Sequence, residues 1–362
     1  TPPSFPRPSW AREPGSEGKT GTFPLASLRV PGKRAGRWKE TEKGQLLSLH
    51  RFCIPVRINL RLISSLGNSV LATTSHGTVL GYDLLSLCLR GPRAELDRTR
   101  HCQPAVFVAS LAAVERLSHR QPNVLESCVA AAGFSVGEFA ALVFAGALDF
   151  TEALYAVKVR AEAMQKASEV VPSGMLSVIG RPEANYKFAC LEARKHCESL
   201  GIENPVCEIS NYLFPDSRVI AGHLQYLQEN ARKYYFTRTK MLPVSGAFHT
   251  RLMEPAVEPL AEVLKSIEIQ KPLICVYSNV DSKKYMHSDH IKKLLVKQVV
   301  SPVMWEQTMH SVYERKQGTE FPYTYEVGPG KQLGAILKKC NLKAWRQYEH
   351  VDVSEDEEEV ET

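Results

Sequence analysis

A serine acts as a nucleophile when a turn lifts its hydroxyl clear of the backbone and a base stands within hydrogen-bond reach. Ser135 has the surroundings for the first condition. It lies in Gly133-Phe134-Ser135-Val136-Gly137, with a short apolar run from Cys128 before it and Phe139, Leu142 and Val143 at helical spacing after it. Strand, tight turn and helix in that order describe a nucleophile elbow, where glycines two residues either side of the serine make room that a Cβ would fill. The N–H groups at the head of the helix then face the place where an oxyanion develops. Glycine, serine and glycine at this spacing are common by themselves; the strand before and the helix after carry the reading.

The base has to be found among eleven histidines. His249 stands apart because it follows a predicted strand over 237–242 and the small residues Ser245-Gly246-Ala247. Such a loop delivers a side chain to the C-terminal edge of a parallel sheet, where sites of α/β proteins form. Arg160 projects from a predicted helix beside the apolar stripe Leu154, Val157, Ala161 and Met164, and on those neighbours alone it reads as a snorkelling surface residue.

The elements that must position these groups follow from periodicity. Helices are predicted at 82–89 and from Gln103-Pro104-Ala105 to Leu117, a strand at 124–132, and a helix at 151–167. Strand 175–179, helix 185–200, strands 207–211 and 218–221, helix 224–233 and strand 237–242 then give a β-α-β-β-α-β succession, the order of a ferredoxin-like unit inserted in a larger domain. The larger domain resumes with helices at 253–267, 288–299 and 305–313, strands at 274–278 and 324–327, and a last helix to Cys340. This divides the chain into a proline-rich basic leader at 1–50, expected to be disordered, and an atypical segment at 51–78 with short apolar runs such as Ile54, Val56 and Ile58. A first core part at 79–171, the small unit at 172–242, a second core part at 243–350 and an acidic disordered tail at 351–362 complete it.

Composition narrows the class. Of 362 residues 44% are hydrophobic, enough for a sizeable core, and no apolar run approaches the length of a membrane span. The nine cysteines are odd in number and never spaced C-x-x-C, which argues against a disulfide framework or a structural zinc site and for a reducing compartment. Net charge is +6 despite the acidic tail, so the body is basic and suits an acidic partner as well as an ordinary solvated surface.

Taken together, Gln103-Pro104-Ala105, the elbow with Glu138, Arg160, Val219-Ile220-Ala221-Gly222-His223, Ser245-Gly246-Ala247-Phe248-His249, Gln298 with Ser301-Pro302-Val303, and Glu326-Val327-Gly328-Pro329-Gly330 resemble the malonyl-CoA:acyl carrier protein transacylases. The run Gly201 to Cys207 and Phe134 resemble the animal mitochondrial form, and the likeness covers residues 79–353. The resemblance implies an α/β fold, with an α/β-hydrolase-like core carrying a parallel sheet and an inserted ferredoxin-like subdomain. It implies that Ser135 is the acylated nucleophile, His249 its base, and Arg160 the bidentate partner of the malonyl carboxylate, which reverses the surface reading of that arginine. The backbone carbonyl of Gln298 would orient His249 in place of an aspartate, the Val136 N–H would donate to the oxyanion, and Phe248 would leave no room for a branch at the malonyl C2.

No metal or redox cofactor is implied. The expected partners are malonyl-CoA and an acidic acyl carrier protein, which could meet Arg232, Lys233, Arg238 and Lys240, or Lys338 and Lys339. A monomer in the mitochondrial matrix, binding neither nucleic acid nor membrane, is expected. One departure bears on activity: the family opens with a strand ending in Phe-Pro-Gly-Gln-Gly-Ser-Gln, whose first glutamine donates to the oxyanion, and residues 1–78 hold no match to it. Two other readings follow, a catalytically impaired variant that binds the carrier only, and a serine thioesterase with water as acceptor. A buried guanidinium has no use in a hydrolase for neutral acyl chains, so Arg160 argues against the second.

Overall fold

The computed structural model describes residues 45–49 and 79–353. The strands in chain order are β1 (Gln45–Leu49), β2 (Cys128–Gly133), β3 (Gly174–Gly180), β4 (Cys207–Phe214), β5 (Ser217–Gly222), β6 (Phe236–Met241), β7 (Cys275–Tyr277), β8 (Val303–Met304), β9 (Tyr323–Val327) and β10 (Tyr348–Val351). The helices that matter to the site are α1 (Thr99–Arg120), α2 (Gly137–Phe144), α3 (Phe150–Val170), α4 (Tyr186–Ser199), α5 (Val257–Ser266), α6 (Ser288–Gln298), α7 (Trp305–Tyr313) and α8 (Gln332–Cys340).

The main sheet is parallel, in the order β10-β9-β1-β2-β7. β2 consists of small apolar residues that are nearly all buried, as a strand covered on both faces requires. Its central neighbour corrects the sequence reading: residues 45–49, assigned to the disordered leader, form β1, which runs parallel to β2 on one side and β9 on the other. Leu47 is paired with Ala131 and with Tyr325. Five residues within a proline-rich, basic stretch lack the length to announce a strand, and only the open slot between β2 and β9 gives them their partners. The disorder expected for residues 1–44 and the strands expected within 52–75 lie outside the described residues.

The two long helices, α1 and α3, pack against each other, and α1 also lies on β9 and β10. α1 begins at Thr99, four residues before the predicted start, and carries Pro104 inside it. A proline there cannot donate to the Arg100 carbonyl, and the Tyr82 hydroxyl donates to that carbonyl instead at 3.4 Å. The strand predicted over 124–132 is shorter, because Pro122–Glu126 is a small helix with its proline at the first position. Likewise the helix predicted over 224–233 is split into Gln225–Glu229 and a 3₁₀ turn, Ala231–Tyr234, ended by Tyr235 in the left-handed region. Residues 351–353, assigned to the acidic tail, belong to the folded body: β10 reaches Val351, Val353 is buried, and Arg116 donates to the Asp352 carbonyl at 2.6 Å, while the disorder expected for residues 354–362 lies outside the described residues.

The second sheet has the order β6-β3-β5-β4-β8. Its first four strands are antiparallel and, with α4, enclose a small core of Leu176, Val178, Ala189, Cys190, Ile220 and Phe236. β8, from the second part of the main body, joins the edge in parallel through Asn211 opposite Val303 and Tyr212 opposite Met304. The same seam holds an ion pair of Arg218 with Glu306 at 3.0 Å, and Met175, Leu213, Val219 and Ala221 of the small unit sink into the main core. None of the eight cysteines among the described residues is in a disulfide, and no helix among them is long and apolar enough to cross a membrane.

Candidate active site

β2 ends at Gly133 and the chain turns at once into α2, so Ser135 is forced to a left-handed φ of 55°. A Cβ on Gly133 would lie 1.9 Å from the carbonyl oxygen of Gly137, which is why the turn tolerates only glycine there. Asn279, just beyond the neighbouring strand β7, locks the turn from the side. Its Oδ1 accepts the Ser135 N–H at 2.6 Å, and its Nδ2 donates to the Gly133 carbonyl at 2.7 Å. Strain at the serine is thus held by a side chain that satisfies the backbone groups the turn leaves over. Val136 stands at the head of α2, directly after the serine.

The loop after β6 brings His249 to this point, also at a left-handed φ, of 62°. His249 Nε2 lies 2.8 Å from Ser135 Oγ, and its Nδ1 lies 2.8 Å from the Gln298 carbonyl oxygen. A carbonyl only accepts, so Nδ1 carries the proton and Nε2 is the free base facing the serine. Gln298 is the last residue of α6, where carbonyls are left over from the helix ladder and the helix dipole is negative. That carbonyl therefore both orients the imidazole and favours the imidazolium formed when it takes a proton.

Arg160 is fully buried, which overturns the surface reading drawn from its neighbours in sequence. α3 delivers it to the nucleophile: Nη2 donates to Ser135 Oγ at 3.0 Å and to Gln298 Oε1 at 2.8 Å, and Nη1 donates to Gln103 Oε1. Its guanidinium carbon lies 5.9 Å from the centre of the Phe139 ring. Phe248 is buried directly before His249, and Phe134, also buried, packs on Trp305 with ring centres 5.3 Å apart. Ser135, His249, Arg160 and Gln298 thus form one hydrogen-bonded cluster, with Val136 and Phe248 as its chain neighbours. Arg232, Lys233, Arg238, Lys240, Lys338 and Lys339 are exposed, and Lys338 rests 4.1 Å over the Trp345 ring.

Gln103 and Glu138 stand in the motifs that carry the resemblance but had no role assigned, and Asn279 and Tyr285 escaped the sequence reading altogether. Glu138 is wholly buried and receives bonds from the Asn279 N–H at 3.1 Å, from the Tyr285 hydroxyl and from Gln298 Nε2. Burial pushes its carboxyl up to about 7, against the pull of those donors and of the Arg160 charge. Beyond its place in the elbow motif, the signal in the sequence for Glu138 was a lone charge inside an apolar helix. No group of three or more histidines, cysteines and acids among the described residues could hold a metal ion.

A buried serine on a strand-to-helix turn, with an imidazole nitrogen 2.8 Å from its hydroxyl at the edge of a parallel sheet, is the arrangement of an α/β enzyme with a serine nucleophile. Residues 74–329 match the family described as the acyl transferase domain, and the chain belongs to that family. It is 73% identical over 278 residues to the mitochondrial malonyl-CoA-acyl carrier protein transacylase of Mus musculus, covering 76% of this chain and 73% of that one. The malonyl CoA-acyl carrier protein transacylase of Escherichia coli K12 is 36% identical over 263 residues, 72% of this chain and 80% of its own. Among solved structures, an acyl carrier protein S-malonyltransferase from Vibrio cholerae superposes with a TM-score of 0.72 at 31% identity, covering 86% of this chain and 97% of its own.

Proposed function

We propose that this protein transfers a malonyl group from malonyl-CoA to the phosphopantetheine thiol of acyl carrier protein through a malonyl-Ser135 intermediate, as a mitochondrial enzyme of fatty acid synthesis. The observation that carries the reading is Arg160 Nη2 at 3.0 Å from Ser135 Oγ, both buried. In a malonyl thioester one methylene separates the carboxylate from the reacting carbonyl. A cation that recognises the carboxylate must therefore stand beside the nucleophile, where the guanidinium is already held by Gln103 and Gln298.

The first half-reaction follows from the hydrogen-bond directions. Ser135 Oγ gives its proton to His249 Nε2 and bonds to the thioester carbon; the oxyanion is met by the Val136 N–H. Collapse breaks the C–S bond, and the CoA sulfur takes the proton from Nε2. In the second half the carrier thiol gives its proton to Nε2, its sulfur bonds to the acyl carbon, the C–Oγ bond breaks and Ser135 recovers the proton. Phe248, buried directly before His249 in the chain, is read as the wall that excludes a branch at C2.

The relatives' names support a mitochondrial setting, and the matrix is the finer reading. A malonyl-transacylase solved in complex with a type II polyketide acyl carrier protein superposes with a TM-score of 0.70 at 29% identity, covering 85% of this chain and 95% of its own, which supports a carrier as partner here. The antiparallel order β6-β3-β5-β4 with α4 supports reading residues 172–242 as a ferredoxin-like subdomain. β1 in the central slot supplies the strand whose loss the impaired-variant reading invoked, and so weighs against that part of it; the oxyanion-donor loop of that reading falls outside the described residues. Intact mass after mixing with malonyl-CoA tests the proposal: a malonyl-sized adduct is expected on the parent and none on Ser135→Ala. An adduct on both, or on neither, overturns it.

A further inference from the structure

We propose that Glu138 is a positioning residue for acyl-group selection: its carboxylate helps dictate which end of the Gln298 amide faces Arg160, and thereby holds the guanidinium ready for a carboxylate-bearing acyl group. The inference rests on Arg160 being the partner of the malonyl carboxylate. Gln298 has a donor end and an acceptor end at nearly equal cost, and something must choose between them. The Nε2 end donates to Glu138 Oε2 and to the Ser135 carbonyl at 3.0 Å, which leaves Oε1 to accept Arg160 Nη2 at 2.8 Å. Reversed, the amide would set two donors against each other at Arg160, and an acceptor against both the carboxylate and the Ser135 carbonyl. The carboxylate itself cannot turn aside. Its other oxygen is held by the Tyr285 hydroxyl and the Asn279 N–H at 3.1 Å.

An ionised carboxylate only accepts, whereas a protonated one also donates, so Glu138 adds its share to the choice, which the Ser135 carbonyl also favours, only while it is charged. Burial pushes that carboxyl up to about 7. The charged and titratable groups facing it are the Tyr285 hydroxyl, whose proton is held by burial and by Glu138, and the Arg160 cation across the Gln298 amide. The head of α2, on which Glu138 sits, adds the positive end of the helix dipole.

The test is the ratio of kcat/KM for malonyl-CoA to that for acetyl-CoA, followed with pH. In the parent the ratio is expected to rise with pH through about 7. In Glu138→Gln malonyl transfer should lose about tenfold more than acetyl transfer, mainly in KM, and the ratio should no longer change with pH. An equal loss on both substrates, or an undiminished ratio, overturns the inference. Tyr285→Phe provides an independent readout should Glu138→Gln fold poorly: it keeps the carboxylate but removes one donor to its ionised form, so the rise should move to higher pH, and an unmoved midpoint overturns the inference. Arg160→Ala separates the two layers. If it abolishes malonyl preference while Glu138→Gln keeps it, the inference alone falls; if Arg160→Ala keeps the preference, the reading of Arg160 falls and the inference with it.

Discussion

Gly133 and Gly137 face one another across the elbow so closely that a Cβ on the first would stand 1.9 Å from the carbonyl oxygen of the second. Both contacting groups are backbone, so neither can swing aside. We expect Gly133→Ala to cost about 3 kcal/mol of stability, at the upper end of overpacking, and to abolish acylation in whatever protein folds. Thermal unfolding together with the malonyl-CoA mass assay checks both; an unshifted melting temperature would refute the close approach.

Arginine at 160 should not be replaceable by lysine. The guanidinium reaches Gln103, Gln298 and Ser135 through separate N–H groups, and a single ammonium cannot hold those partners and grip a carboxylate in a fork. Arg160→Lys is predicted to lower kcat/KM for malonyl-CoA by roughly tenfold to a hundredfold, measured by steady-state transfer to a carrier. Near-parent activity would show that charge alone suffices.

His249→Ala should slow acylation by about 10²–10⁴ without removing the nucleophile. Single-turnover release of CoA is therefore expected to be slow but complete, with the adduct still on Ser135. A rate close to that of the parent would mean that another group accepts the Ser135 proton.

The buried acid at 138 predicts a particular stability profile. Its ordinary value of 4.5 is raised to about 7 in the fold, so between those values the unfolded chain sheds a proton that the folded chain keeps. Stability associated with this group is present below about 4.5 and is lost as pH rises through about 7, a change of about 3 kcal/mol. Urea unfolding of the parent and Glu138→Gln at roughly pH 5 and pH 8 should show the variant gaining on the parent as pH rises. A constant difference would place the carboxyl near its ordinary value.

Leu47→Pro tests the central strand. Position 47 is paired on both sides, with Ala131 and Tyr325, and a proline there removes a ladder donor inside a five-stranded sheet. A loss of about 3 kcal/mol or more, seen as reduced melting temperature or insoluble protein, is expected; an unaffected fold would remove 45–49 from the slot.

How far the sequence led differs from element to element. The elbow was legible because its rule is steric and local, two glycines about a serine between an apolar strand and an apolar helix. The order of strands and helices from 174 to 241 was legible because their periods alternate, although the helix predicted over 224–233 is split. β1 was not, since its partners lie some 80 and 280 positions away and nothing local sets those pairings. Arg160 pointed the wrong way on neighbours alone, because the same stripe of apolar residues suits a snorkelling arginine and one buried against α1; the resemblance pointed to the site. Asn279 and Tyr285 were missed, and Glu138 was left without a role, for a related reason. Their meaning lies in contacts 141 to 147 positions apart, which no spacing rule encodes.

The ladder between β4 and β8 has a mechanical meaning. Two units tied only by linkers open and shut like a jaw; these two share backbone hydrogen bonds, an ion pair and interlocked apolar side chains along one margin. Any swing of the small unit against the sheet that carries Ser135 would tear that margin. The seam therefore fixes the small unit against the sheet that carries Ser135, and whatever reaches the serine must do so with that margin standing still.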